Sequence, residues 1–454
     1  MELNAIQDGS DDGYSTSAVP ATARMSKLSL TMAWWATCSA MFWLVVSATL
    51  AINFGTVNTL IGLGLSVVVY SLINKVIVRY VVSNGLSVAL FSRVLFGSVG
   101  AALATLIFFA TAIYYALFEG SVIAVAINAY FPAISVKLAY LIVVVYSVLL
   151  VFGSVQTWLD KFNGALLPFY LLGLIAAVVL ALMSGGDHTA WIHLGPTGGA
   201  PTYGWWNCFT AFMGVWIMMM YTWDYARFGR QSDTRYHENF NFGWSFYTFT
   251  FVINGIAGIF LASTLAGSGA LSEVSVVFAL LKLMGFAGLL FVWVSQTRIN
   301  TANFYLASTN MHSFFTAVFG LHLPKFFWSV VAGVIVYFLM LTNVFSFILQ
   351  ALAFQGIFVV AWVGIAVMHI VSPHYEAIFG KQIEYRSERV VAFNPCGLVA
   401  WLASSALGIA LLEAGGTTAT FSAPAAAVAS AIIYRIGLSL ASKRSFVREL
   451  VASE

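Results

Sequence analysis

Charge is what this 454-residue chain has least of: Asp, Glu, Lys and Arg together make up 8% of it, where an ordinary soluble domain carries about 25%. So little charge cannot cover a water-facing surface, which excludes a soluble globular domain. Cysteine is nearly absent as well. Cys38, Cys208 and Cys396 stand far apart, with neither a disulfide framework nor metal or redox spacing. The seven histidines make no HExxH pair and no Walker-type glycine loop is present, which argues against a membrane metalloprotease, an ATP-driven pump and any metal site. Strand-period alternation of the beta-barrel kind is missing too. The buried acids are too few and scattered for paired catalysis, so no enzyme is expected.

What fills the chain is apolar: 61% of its residues, with a mean hydropathy of +0.90. A bilayer needs roughly 20 apolar residues per helix, and about a dozen such segments fit between residues 28 and 440. The fold class expected is therefore an all-α polytopic membrane protein with 12 transmembrane helices. Of the 20 Lys and Arg, only Lys137 and Lys282 then fall on the outer side, Arg298 lies inside a span, and the rest are inside. That asymmetry places both termini in the cytoplasm of a multi-pass protein of the cell membrane. The net charge of +3 follows from this topology and is no nucleic-acid footprint.

Residues 1–27 read as a disordered cytoplasmic tail, polar and Gly/Ser-rich without a cleavable signal. Residues 28–184 and 204–371 each hold five spans, followed by two peripheral spans in 397–440 and a cytoplasmic tail at 441–454. An odd number of spans per repeat turns the second repeat upside down, the inverted-repeat logic of secondary transporters. In such folds the first helix of each repeat is interrupted near mid-membrane. The equivalents here are "WWATCSAMFW" (34–43) and "AFMGVWIMMMYTW" (211–223), with Gly214 the expected break. Close helix packing through small residues is the competing explanation.

Four stretches, "AVPATAR" (18–24), "GLSVALFSRVLFG" (85–97), "DYARFGR" (224–230) and "NTANFYLAS" (300–308), resemble motifs of the purine-cytosine permease family, part of the nucleobase-cation-symport group. The resemblance implies a LeuT-type fold: a 5+5 inverted repeat plus two peripheral helices. It also implies a flat heterocycle stacked between aromatics near mid-membrane, and a sodium ion or proton that drives uptake. No cofactor is expected beyond H+ or Na+, and the partners are a nucleobase-like small molecule, the coupling cation and membrane lipid, with no nucleic acid.

Tyr115 and Glu119, four apart in "TAIYYALFEGSVIAV", share one helix face. By position they match the family's stacking aromatic and its polar partner one turn later, although many relatives are neutral at the Glu119 position. A carboxylate there can accept hydrogen bonds from a ring N–H and also carry a proton; a structural Glu119 paired with a cation is the alternative. Trp216, beside Gly214, supplies the second aromatic. Asn300 and Asn303 share a face that resembles the family's amide-bearing substrate contacts. Ser295 and Arg298 lie on another face, about 200° from Asn300 in the case of Arg298.

In sodium-coupled relatives that face gives hydroxyls to the cation, beside backbone carbonyls of the broken first helix, here Ala36, Ser39 and Ala40. Arg298 would then stand in for the ion, unless a one-residue shift brings Ser295 or Thr297 into a true sodium site or Arg298 merely snorkels to the interface. Asp224, with Arg227 or Arg230, is expected to organise a cytoplasmic gate. The function expected is secondary active import of a nucleobase or related planar N-heterocycle, such as cytosine or a purine, by alternating access, with proton coupling ahead of sodium. A sodium-coupled hydantoin, allantoin or vitamin symporter, or a passive facilitator, are the alternatives.

Overall fold

The computed structural model describes residues 14, 17–152, 155–185, 187–265, 272, 274–342, 344–380 and 383–448. Helices dominate, as they must where no water pairs with backbone N–H and C=O groups. Six of them are long and apolar enough to cross a membrane: α3 (Thr56–Asn84), α5 (Gly100–Tyr130), α10 (Gln231–Ser263), α14 (Ile348–Val371), α15 (Pro395–Glu413) and α16 (Ser422–Leu440). A seventh span is the pair α1 (Lys27–Trp35) and α2 (Met41–Phe54), bent by 43° at a short interruption. The remaining major helices are α4 (Val88–Phe96), α6 (Val136–Phe152), α7 (Val155–Met183), α8 (Gly204–Met213), α9 (Ile217–Ala226), α11 (Ser275–Met284), α12 (Phe286–Phe319) and α13 (Lys325–Met340).

The packing partners exchange as a two-fold relation between halves requires. α5 lies along α12 and α6 along α13, each pairing equivalent helices of the two halves, while α2 against α10 is mirrored by α8 against α3. At the end, α15 and α16 form a pair resting on α14. Two helices escape a hydropathy count because each is too short to span: α4, capped by the Ser87 side chain accepting from Leu90 N–H, and α11, which turns into α12 at Gly285. Within α10 the winding loosens to π-helix over His237–Asn241 and again over Thr248–Ile253.

The chain from Ala18 onward, assigned to the tail by composition, is tied into the bundle. Val19 N–H donates to Gly85 O at 2.9 Å and Met25 N–H to Phe228 O at 2.8 Å. The Arg24 guanidinium donates to Val19 O, Val82 O and Gly229 O. Gly85 is needed there on two counts: its φ is +71°, and a Cβ would sit 2.8 Å from Val19 O. The polar composition reflects a segment held largely by backbone and guanidinium hydrogen bonds, with Val19 buried and Ala18 and Met25 packed against the core.

Gly356 on α14 touches the backbone at Gly214, where an added Cβ would lie 2.7 Å from Gly214 Cα. Gly356→Ala should therefore lower stability by about 1–3 kcal/mol, the scale of overpacking. Gly64→Ala on α3, with open space around its Cα, should be neutral or stabilising by up to about 1 kcal/mol. Thermal unfolding of both variants in detergent checks the pair.

Candidate functional site

Between α1 and α2 the chain tightens to a 3-10 turn over Ala36–Ser39, then extends at Ala40 with φ −63° and ψ 128°. The carbonyls this frees are taken up one by one. Ser39 Oγ donates to Ala36 O at 2.8 Å, Trp43 Nε1 to Thr37 O at 3.0 Å, Asn254 Nδ2 to Cys38 O at 2.8 Å, and Gln296 Nε2 to Ser39 O at 3.5 Å. Gln296 works on both sides of the break, because its Oε1 accepts from Met41 N–H at 3.0 Å, the first amide of α2. Its Nε2 also donates to Ser295 Oγ at 2.8 Å. Asn254 is held in turn by Tyr170, whose hydroxyl donates to Asn254 Oδ1 at 3.1 Å.

The second interruption is milder. Gly214, Val215 and Trp216 donate to residues three back, Ala211, Phe212 and Met213, at 3.0–3.1 Å, so the helix tightens around Gly214 without unwinding. Gln355 of α14 donates to Gly214 O at 3.3 Å and lies beside Tyr115.

Glu119 is 1% exposed and sits on α5 facing the Phe42 amide, at the start of α2. That amide acts on it electrostatically without meeting hydrogen-bond geometry, so both carboxyl oxygens lack a bonded partner, as do Tyr115 Oη and Trp216 Nε1. The surrounding rings are edge-on: Tyr115 meets Phe42 at 5.1 Å, Phe42 meets Phe118 at 5.4 Å, and Trp216 meets Tyr70 at 6.3 Å. Of the expected substrate residues, Tyr115, Glu119, Gly214 and Trp216 thus gather around the two interruptions.

The amides of α12 divide. Asn300 donates to Ser147 Oγ of α6 at 2.8 Å, with Oδ1 unpartnered. Asn303, buried with Nδ2 unpartnered, lies seven residues from both Gln296 and Asn310, so the three amides stack on one helix face. Asn310 lines a cavity of about 150 Å³ with Thr309, Ser92, Thr105, Tyr221 and Asp224.

Of the expected cation set, Ser39 O and Ser295 Oγ accept from the Gln296 amide, Ala40 lies in the break between Ser39 and Met41, and Ala36 O accepts from Ser39 Oγ. Thr297 does not join them: about 100° further round the helix, its hydroxyl hydrogen-bonds Tyr146 of α6 at 3.1 Å. The Arg298 side chain lies outside the described residues. Gln296, Gln355, Asn254 and Tyr170 were missed by the sequence reading. The first three carried a usable signal, since a side-chain amide inside an apolar span is rare without a role.

At the basic end, Asp224 Oδ1 accepts from Val88 N–H at 3.1 Å, holding the start of α4. Arg227 donates to Asp224 O at 3.2 Å and to Tyr14 O at 3.0 Å. Arg230 is exposed, and the cation that ties this end together is Arg24.

Solved structures share this architecture. The inward-facing conformation of Mhp1 superposes with a TM-score of 0.76 over 95% of this chain and 94% of that one at 14% identity. Mhp1, a nucleobase-cation-symport-1 family transporter, closed with bromovinylhydantoin bound, gives 0.70 over 94% of each chain at 15% identity. The chain has their LeuT-type fold. A Na+-coupled sialic acid symporter in a substrate-bound, outward-open state gives 0.64 over 94% of this chain and 92% of that one, at 13% identity. No protein-family model and no curated protein sequence matches the chain.

Gln296→Leu removes the partners of Ser39 O and Met41 N–H together. Stability should fall by about 1–3 kcal/mol per buried group left unpaired, and Asn254→Leu should act alike through Cys38 O. Thr297→Val, away from the break, should fall by about 1 kcal/mol or less. Unfolding midpoints of the three variants give the ranking.

Proposed function

We propose that the chain is a secondary active importer of a planar N-heterocycle, a nucleobase or a related ring, working by alternating access with a proton as coupling ion. The observation that carries this reading is the set of buried polar atoms without partners on Tyr115, Glu119 and Trp216, gathered at the helix interruptions. Each such atom is destabilising by about 1–3 kcal/mol unless something bonds it. A flat ring bearing N–H and C=O groups supplies those bonds and stacks on the aromatic faces. The structural relation to a transporter with bromovinylhydantoin bound supports the same ligand class.

The proton reading rests on the first break. Its carbonyls at Ala36, Thr37, Cys38 and Ser39 already accept from protein donors, so the break is satisfied by the protein's own groups without an ion. Gln296 is the side chain that serves both sides of this break. Glu119 is the titratable group of the site, and its exchange of a proton as the site faces one side and then the other supplies the differential binding that coupling requires. The two repeats in this proposal are residues 28–184 and 204–371, with 397–440 peripheral and both termini cytoplasmic. The cavity lined by Asn310 and Asp224 is then the inner end of the route.

Glu119→Gln should weaken substrate binding more than about tenfold, since a charge-assisted hydrogen bond contributes about 1.5–3 kcal/mol; unchanged affinity would remove Glu119 from recognition. Tyr115→Ala and Trp216→Ala should each lose about 1–3 kcal/mol of binding, read by thermal shift against a panel of nucleobases and hydantoins. In vesicles, uptake should follow a proton gradient and persist when choline replaces sodium. Steep sodium dependence would overturn the proton reading, and failure to accumulate substrate against its gradient would leave a facilitator.

A further inference from the structure

One surface feature stands apart from the central site. α3 presents Val57, Ile61, Val68 and Leu72 on one face, each 50–63% exposed, the stripe expected of a helix in contact with lipid tails. The same face continues, at helical spacing, into Lys75 and then Arg79. There it meets the first turns of α10 and opens a groove of about 780 Å³ whose lining includes Lys75, Arg79, Thr234, Arg235, Asn239 and Trp244.

The charges of this groove are unevenly spoken for. Arg79 forms a two-pronged ion pair with Glu238, its Nη2 donating to Oε1 at 2.8 Å and its Nε to Oε2. The neighbouring Asp233 faces Lys27 at 3.9 Å. Lys75 and Arg235 have no ion pair among the described residues. Thr234 Oγ1 and Asn239 Nδ2 beside them already donate to Gln231 O and Arg235 O, and Trp244, 61% exposed, offers the amphipathic ring by which tryptophan anchors at headgroups.

We propose that this groove binds the phosphate-bearing headgroup of an anionic phospholipid. Lys75 and Arg235 take the phosphate, Trp244 lies against the glycerol region, and the acyl chains run down the exposed apolar stripe of α3. A soluble phosphate would use the cations but not the stripe, and the continuity of the two along one helix face selects a lipid. Juxtamembrane cations attract anionic lipids in this way. Because α10 also carries Asn254, the groove is joined by one helix to the first break.

The test uses the full chain in nanodiscs of phosphatidylcholine alone or mixed with phosphatidylglycerol, together with native mass spectrometry of the detergent-purified protein. The wild type should retain phosphatidylglycerol, and its unfolding midpoint should be several degrees higher in the mixed discs. K75A/R235A should lose about thirtyfold in lipid retention, the scale for two cations at an anionic surface, and unfold alike in both discs. K443A/R444A, at the other end of the chain, should behave as the wild type does. If K75A/R235A does not purify, R235A alone should lose about fivefold. Equal retention by variant and wild type overturns the proposal. So does an equal midpoint shift when inorganic phosphate is added to phosphatidylcholine discs, which assigns the groove to a soluble anion.

Discussion

A helix can be interrupted at hydrocarbon depth only if every backbone group it releases finds another partner. Here the carbonyls from Ala36 to Ser39 are met by Ser39, Trp43, Asn254 and Gln296, and Met41 N–H by the same Gln296. Those partners come from the break itself, from α2, from α10 and from α12, so the interruption draws its neighbours into one arrangement. The position of α2, and with it the Phe42 amide that faces Glu119, follows from that arrangement. The second interruption needs less, since its amides find carbonyls three residues back and Gln355 attends to Gly214 O.

A second region of dense backbone bonding lies at the basic end. Three of the four quoted motifs meet there: Arg24 of "AVPATAR" bonds Val82 O and Gly229 O, and Asp224 of "DYARFGR" bonds Val88 N–H of "GLSVALFSRVLFG". Asp224 lies on α9, the helix that begins just after Trp216. Trp216 and the contact with α4 therefore sit at the start and near the end of one short helix.

Much of this was legible in the sequence, for a physical reason: hydropathy reports which segments avoid water, and the apolar runs of this chain are long. The first break was visible as small residues between aromatics at 34–43, and Glu119 as an acid with no business in an apolar helix unless it does something. Helical phase was less accessible. Spacing says that Ser295, Gln296, Thr297 and Arg298 point about 100° apart in turn, but not which of them meets the break. That depends on how α12 lies against α5: Gln296 reaches the break and Thr297 turns to Tyr146, while the Arg298 side chain lies outside the described residues. The N-terminal segment misled for a related reason. Its bonds to Gly85, Val82 and Gly229 run through backbone carbonyls, which leave no trace in composition.

The two π-helical stretches of α10 bear on how this protein tolerates change in chain length. A π turn accommodates one more residue than the α turn it replaces, and Asn254 follows directly on the second of them, Thr248–Ile253. Its amide reaches Cys38 O with the surplus residue already absorbed upstream. A one-residue deletion between Thr248 and Ile253 would let the turn wind as ordinary α-helix and leave Asn254 on nearly the same face. A deletion in an α-helical turn has no such slack and swings everything beyond it by about 100°. Length is thus more forgiving in the π-helical stretches of α10 than in the α-helical turns around them.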